Sequence, residues 1–225
     1  MELSHKFSPY DPAFDPACDQ LRAETALPVH TPIWYRLADL GVAMAMLLVL
    51  LPVIALLAVM IRIDSAGPAV FAQERLGRGR VPFTLLKFRT MIVDAEKDSG
   101  AVWASRNDPR ITRLGRFLRR SRLDELPQLI NVLRGDMSMI GPRPIRAHFA
   151  NKLAAIEPRY DRRFLVRPGL TGYAQLYAPY GSNVEEQLQK IPFDQRYADE
   201  GLTFRAYCVV MVQTALRCTI NPTGR

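Results

Sequence analysis

Histidine and cysteine are scarce in this chain, and their scarcity removes whole classes of chemistry. Three cysteines (Cys18, Cys208 and Cys218) among 225 residues are too few and too far apart for a disulfide framework or a four-ligand zinc site. They suit a reducing compartment. Of the three histidines, His5 and His30 lie near the N-terminus, so His148 alone is left downstream to support histidine acid–base catalysis. Acidic residues are also short, 22 against 30 Lys and Arg, and the formal charge of +8 calls for an anionic partner: nucleic acid, an anionic lipid surface or a phosphorylated small molecule. What is present is enough for a core. The length suits one ordinary domain, or one domain with an appendage, and 48% hydrophobic and 23% charged residues argue against wholesale disorder, collagen-like sequence and repeat arrays.

The charge is unevenly spread. Residues 1–39 carry a net of −3, which leaves +11 on the remainder, and they hold five of the seventeen prolines without apolar periodicity. Residues 1–32 therefore read as an extended or disordered leader. Leu40 to Ile61 follows, twenty-two residues without a charge and about 33 Å long as a helix, which is membrane length. It begins too late and is too long for a signal-peptide core. Pro52 sits near its centre, removes a backbone hydrogen bond and predicts a kink that permits a hairpin. Arg36 and Asp39 before the run, and Arg62 and Asp64 after it, are expected to anchor both ends near headgroups. Basic residues crowd the downstream side (Arg62, Arg75, Arg78, Arg80, Lys87, Arg89), placing residues 62–225 in the cytoplasm, whereas the acidic leader by the charge rule alone lies outside.

Downstream, Val70-Phe71 and Phe83–Phe88 look like strands around the turn Gly77-Arg78-Gly79-Arg80. Residues 111–121 read as a helix with Ile111, Leu114, Phe117 and Leu118 on one side and Arg113, Arg116 and Arg120 on the other. A second helix starts near Pro127, with Leu126, Leu129, Ile130 and Leu133 as its apolar stripe, and ends at Arg134-Gly135. Residues 204–218 suit a helix lying on a membrane or docked on the core.

The chemistry concentrates between residues 106 and 146. Seven arginines fall in Arg106–Arg122, opposed only by Asp108, and the adjacent carboxylates Asp124 and Glu125 follow. Arginines neutralise phosphoryl oxygens, while paired carboxylates hold a divalent cation or attack phosphorus. On spacing alone, a capping acid beside a solvated basic face explains the same residues equally well.

Five strings then occur in order: Lys87-Phe-Arg-Thr-Met91, Asn107-Asp-Pro-Arg-Ile-Thr112, Leu123-Asp-Glu-Leu-Pro-Gln-Leu129, Gly141-Pro-Arg-Pro144 and Arg167-Pro-Gly-Leu-Thr-Gly172. Together, over roughly residues 33–220, they resemble the monotopic phosphoglycosyl transferase family of bacterial sugar transferases. The resemblance implies an α+β protein in three parts: the leader, a re-entrant Pro-kinked membrane helix over 33–64, and a small, mostly helical catalytic domain over 65–225 with a few short strands and interfacial amphipathic helices. It implies transfer of a phosphosugar from a UDP-sugar to a polyprenyl phosphate such as undecaprenyl phosphate, with release of UMP. That is the initiating step of exopolysaccharide, O-antigen or glycoconjugate assembly at the cytoplasmic face of the bacterial inner membrane.

In that family the aspartate of the Asp-Glu pair is the nucleophile, which puts the role on Asp124, with Glu125 supporting Mg²⁺; both are candidate metal ligands. Phosphate contacts fall to Arg119 and nucleotide contacts to Pro142, Arg143 and Pro144. Lys87 and Arg89 match the Lys-Phe-Arg string as substrate-binding residues or, equally, as structural ion-pair partners. The resemblance also favours the hairpin, with both ends of the segment in the cytoplasm. Three positions depart from the family pattern: Leu51 before Pro52, Arg122 two before the aspartate, and Tyr173 after Gly172. An ordinary aspartate is ionised at neutral pH and needs no base to attack. Expected partners are the two substrates and membrane lipids; the sugar and a homo-oligomeric state stay open. A nucleic-acid binder lacks its zinc-finger or RNA-binding aromatic pattern, and a non-catalytic scaffold leaves the adjacent acids unexplained.

Overall fold

The computed structural model describes residues 32–97, 100, 102, 108–179, 181 and 183–220. The leader through residue 31, Cys18 within it, and Arg106 and Asn107 at the head of the second string lie outside these. The architecture is α+β, as expected: a long N-terminal helix, two small two-stranded sheets and a set of short helices.

Helix α1, Ile33–Asp64, contains Pro52 and is long and apolar enough to cross a membrane. Its burial is concentrated towards the two ends, where Tyr35, Asp39 and Ala43 are covered near the start and Leu57 and Ile61 near the finish. Between them Leu48, Val49, Leu51 and Leu56 stand exposed, apolar surface that water would not tolerate but lipid would. Arg36 and Asp39 do not behave as headgroup anchors. Arg36 Nη2 donates to the carbonyl of Leu133 at 3.2 Å, and the Asp39 carboxylate, 1% exposed, accepts from Ser138 Oγ at 2.6 Å, the Met139 amide at 3.1 Å and Tyr207 Oη at 3.0 Å. Sequence spacing placed both residues beside the membrane; tertiary packing turns them into the protein instead.

Strands β1 (Val70–Leu76) and β2 (Pro82–Phe88) form an antiparallel hairpin with Phe71 opposite Lys87 and Arg75 opposite Phe83. The turn between them is the expected Gly-Arg-Gly-Arg stretch, with Gly79 and Arg80 at positive φ. Helix α2, Arg113–Ser121, starts at Thr112, whose side chain caps the Gly115 amide at 2.9 Å. Two residues of its expected apolar side differ: Ile111, though buried, lies before the helix in a bridge to Met91, and Phe117 is exposed. Leu118 fills the core position.

Arg122 then adopts a left-handed conformation (φ 61°), which ends α2 and starts a single 3-10 turn, Leu123–Glu125. Helix α3, Gln128–Arg134, follows after Pro127 and stops at Gly135, whose φ of 95° and hydrogen bonds to Asn131 and Val132 form a C-terminal cap. Strand β3 (Ser138–Ile140) pairs in parallel with β4 (Gly169–Thr171). The chain between them forms α4 (Ala147–Ile156) and the 3-10 stretch Pro158–Leu165. Short helices α5 (Tyr173–Tyr177) and α6 (Val184–Leu188), then α7 (Ile191–Glu200) and α8 (Phe204–Ile220), complete the domain.

The main core joins Leu118, Leu129, Val132, Met137, Met139 and Ile140 to the covered faces of α1 and to Tyr207 and Val210 of α8. Tyr35 stacks edge-on with Tyr207 at 5.3 Å between ring centroids, which docks α8 on α1. A second cluster, centred on Phe149, Leu153, Tyr160 and Phe164, supports the far side of the site.

Candidate active site

Backbone contacts bring the separate strings into one place. A Cβ on Gly115 of α2 would lie 2.1 Å from the Thr90 carbonyl oxygen, so only glycine lets the arginine-rich helix press against the Lys-Phe-Arg-Thr-Met string. Arg119 Nε then donates to Thr90 Oγ1 at 2.8 Å. Asn131 of α3 binds the edge of β2 through Leu86 N at 3.0 Å and Thr84 O at 2.7 Å, which fixes the helix after the acid pair against the hairpin. The Gly141 and Gly169 backbones approach so closely that a Cβ on Gly169 would lie 2.0 Å from Gly141 N; this contact holds the Gly-Pro-Arg-Pro turn beside the Arg-Pro-Gly-Leu-Thr-Gly string.

The result is a cleft of about 770 Å³ lined by Lys87, Arg119, Arg122, Asp124, Glu125 and Arg143, among others. That volume suits a ligand larger than a simple sugar. Its cations outnumber its acids, so it is built for an anion.

The two acids have different surroundings. Glu125 is held by Arg143, Nη2 to Oε1 at 2.7 Å and Nη1 to Oε2 at 3.3 Å, with Arg122 Nη1 at 3.5 Å from Oε1. Burial works against its ionisation, but the Arg143 and Arg122 guanidiniums outweigh it and keep the carboxyl below its ordinary range. Asp124, 8% exposed, accepts no hydrogen bond and has no ion pair among the described residues. Burial, followed by the charge of Glu125, raises its pKa; Lys87, Arg143 and Arg119 act in the opposite direction. The sequence expectation of an ordinary aspartate is therefore corrected: this one is harder to ionise. Its oxygens are left uncommitted in a field of cations.

Lys87 lies over the ring of Phe71 at 5.4 Å, and burial together with the positive charges of Arg119 and Arg75 lowers its pKa to about 8. Arg89 has a different setting. Its Nη1 and Nη2 donate to the carbonyls of Ala66 and Ser65, both at 2.7 Å, just past the C-terminus of α1. It ties the long helix to β2. Pro144 lines the cleft with Arg143, whereas Pro142 is buried behind it and its carbonyl accepts from Gly169 N at 2.9 Å. Tyr173 packs edge-on against Tyr197 at 6.4 Å.

Sequence reasoning missed several lining groups. Arg75 lies on the same face of β1 as Phe71, the partner of Lys87, and its Nε is buried without a hydrogen bond. Alternation along β1 was the available signal, since residues 71 and 75 share a face. Arg163 is buried, ion-paired with Asp194 at 3.3 Å, and donates to the carbonyl of Arg143 at 2.7 Å, so it sets the backbone from which Arg143 reaches Glu125. Nothing local marks that role. It depends on residues 20 and 31 positions away.

A divalent cation fits at one carboxylate. Among the described residues no group of three or more His, Cys, Asp or Glu could hold a metal, and Glu125 is already engaged by two arginines. The uncommitted Asp124 could supply one oxygen, leaving water and a phosphorylated ligand to supply the rest, as Mg²⁺ commonly requires.

Residues 30–220 match the family model described as bacterial sugar transferase. A Bacillus subtilis (strain 168) protein provisionally named undecaprenyl-phosphate N-acetylgalactosaminyl 1-phosphate transferase is 52% identical over 131 residues, 58% of this chain and 69% of that protein. The UDP-glucose:undecaprenyl-phosphate glucose-1-phosphate transferase of Caulobacter vibrioides is 41% identical over 178 residues, 78% of this chain and 66% of that protein. An Aeromonas hydrophila UDP-N-acetylgalactosamine-undecaprenyl-phosphate N-acetylgalactosaminephosphotransferase is 42% identical over 146 residues, 65% of this chain but 34% of its own length. The three names agree on the lipid, while two give N-acetylgalactosamine and one glucose as the sugar.

Proposed function

The chain belongs to the bacterial sugar transferase family, and from that premise we propose that it moves a phosphosugar from a UDP-sugar to a polyprenyl phosphate such as undecaprenyl phosphate, with release of UMP. Asp124 carries this reading. A buried carboxylate that makes no hydrogen bond among the described residues, next to Lys87, Arg119 and Arg143, is a nucleophile held ready for a phosphorus centre whose oxygens those cations can neutralise. An Asp124 oxygen attacks the phosphorus bearing the sugar, and the bond from that phosphorus to the bridging oxygen breaks with UMP as leaving group. A lipid phosphate oxygen then attacks the resulting acyl phosphate and restores the carboxylate. Ionised Asp124 loses no proton in either step.

Arg143, gripped by Glu125 and oriented through Arg163, and Arg119, fixed by Thr90, counter the charge that accumulates. Mg²⁺, held at Asp124 with Glu125 nearby, would add positive charge to the diphosphate.

The lipid substrate needs a site at headgroup depth, which the re-entrant reading of α1 provides. Both ends of α1 are tied to one compact unit: Arg36 to α3 and Asp39 to β3 at the start, and Ser65 and Ala66 to Arg89 after β2 at the finish. Because β2 and α3 are joined through Asn131, a domain on one face of the bilayer holds both ends on that face. We place that face in the cytoplasm of a bacterial inner membrane. With Cys208 and Cys218 replaced, an impermeant thiol reagent should label Cys18 only after cell lysis. Labelling in intact cells would establish a span instead.

The chemical test omits the lipid. Enzyme with UDP-sugar and Mg²⁺ should release no more than one UMP per site and gain the mass of one phosphosugar, and Asp124→Asn should lose both signals. If UMP appears only after lipid is added, direct transfer in a ternary complex replaces the covalent route.

A further inference from the structure

Gln175 lies on the wall of the same cleft, and both polar atoms of its side chain, Nε2 and Oε1, are buried without a hydrogen bond among the described residues. The other uncharged polar side chains lining that cleft have partners: Gln73 accepts from Arg75, Thr90 from Arg119, and Gln187 bonds Gly181 and Lys190. A carboxamide with neither its donor nor its acceptor satisfied is costly in a folded protein unless something else completes it.

The surrounding residues hold this amide in place. Helix α5 is fixed by Ala174 and Leu176 in the core and by Tyr173 and Tyr177 on a shared face, where Tyr173 meets Tyr197 at 6.4 Å and Tyr177 stacks on Phe193 at 6.4 Å. Two positions from each tyrosine, about 200° around the helix, Gln175 points the opposite way. Gly172 makes room for it, because a Cβ there would lie 2.9 Å from Gln175 Oε1 and 2.3 Å from the Gly141 carbonyl oxygen.

We propose that Gln175 is a specificity residue that reads the nucleotide sugar, its Nε2 donating to and its Oε1 accepting from an adjacent acceptor and donor on the ligand. Two parts of a UDP-sugar present that pair: the imide edge of uracil, and a hydroxyl or acetamido group of the sugar. The proposal rests on the reading of the cleft as a UDP-sugar site. Phosphate is not the target, since the cleft meets phosphate with guanidinium and ammonium groups, and an amide beside them adds discrimination rather than charge.

The test uses the full-length protein and Gln175→Met, which keeps the length of the side chain and removes both polar atoms, with Gln175→Glu as a second variant that keeps acceptors and loses the donor. KM and kcat are measured with UDP-glucose and with UDP-N-acetylgalactosamine, and affinity for UMP and CMP is measured by direct binding. The expected result for Gln175→Met is a KM at least tenfold higher with kcat within about threefold of wild type, and a thermal midpoint equal to or above it, because an unpaired buried amide has gone. If the amide reads the base, UMP affinity falls by the same factor and the preference for UMP over CMP disappears. If it reads the sugar, UMP affinity holds and the ratio between the two UDP-sugars changes.

The proposal is overturned if KM, UMP affinity and sugar preference all stay within twofold, or if the only change is a lower thermal midpoint, which would assign the amide to the scaffold. Wild-type protein that binds UMP in a Gln175-dependent way yet turns over no UDP-sugar would sink the proposed reaction and leave this residue's role standing.

Discussion

Two buried aspartates mark two regions of this molecule, the seam where α1 docks and the floor of the cleft, and they are treated in opposite ways. Asp39 is enclosed and fully used, with a hydroxyl, an amide and a phenol all donating to it. Asp124 is almost as well covered but makes no hydrogen bond or ion pair among the described residues. A buried charge is tolerable either when hydrogen bonds replace its lost water or when nearby charges of opposite sign oppose its neutralisation. The first solution joins elements together. The second leaves the oxygens available to react, and the difference separates a structural acid from a candidate nucleophile more sharply than burial does.

Exchanging each aspartate should therefore have opposite consequences. Asp124→Asn should cut formation of the covalent adduct by at least about a thousandfold, equivalent to about 4 kcal/mol, while the fold stays intact, as intact-protein mass and thermal unfolding together would show. Asp39→Ala should instead leave three donors without their acceptor and cost about 3 kcal/mol of stability. That corresponds to roughly 10 °C in Tm in detergent. A cleft acid that proved indispensable for folding, or a seam acid whose loss destroyed activity at full stability, would break the comparison.

The surrounding cations sharpen it. Arg119→Ala should lower turnover by about 10- to 100-fold, because the guanidinium fixed by Thr90 lies near the reacting centre. Arg113→Ala and Arg116→Ala, on exposed positions of the same helix, should change it by less than about threefold and in a salt-dependent way. Equal losses at all three would reduce the cluster to a solvated face.

The smallest effect concerns pH. Since burial raises the Asp124 pKa above its unfolded value, the native state binds the proton more tightly, and this group's contribution to stability is fully present below the unfolded pKa and lost as pH rises through the folded one. With chelator present, Asp124→Asn should thus raise Tm by a few degrees at pH 8 and by progressively less towards pH 5.

Much of the scaffold was legible because its causes are local. Glycine marked the turn before β2 and the end of α3, proline marked the start of α3, short apolar runs marked the hairpin, and an uncharged run of membrane length marked α1. Ile111 and Phe117 fell out of the expected helix stripe because a bridge to Met91 captures the first ahead of the helix and the second stands on its exposed side, next to the buried Leu118. Arg36 and Asp39 read as headgroup anchors for a similar reason. The groups that bind them are about 100 residues away.

The sequence by itself determined the apolar segment, the excess of positive charge, the Asp124-Glu125 pair and the strings that carry the family resemblance, since each depends on residue type and close spacing. Only the tertiary structure decided which acid stays uncommitted, which arginine grips Glu125, that Arg89 ties down α1, and that Gln175 faces the cleft unpaired. Those outcomes depend on which donors are brought within about 3 Å of which acceptors by packing between distant segments, and no local pattern records that distance.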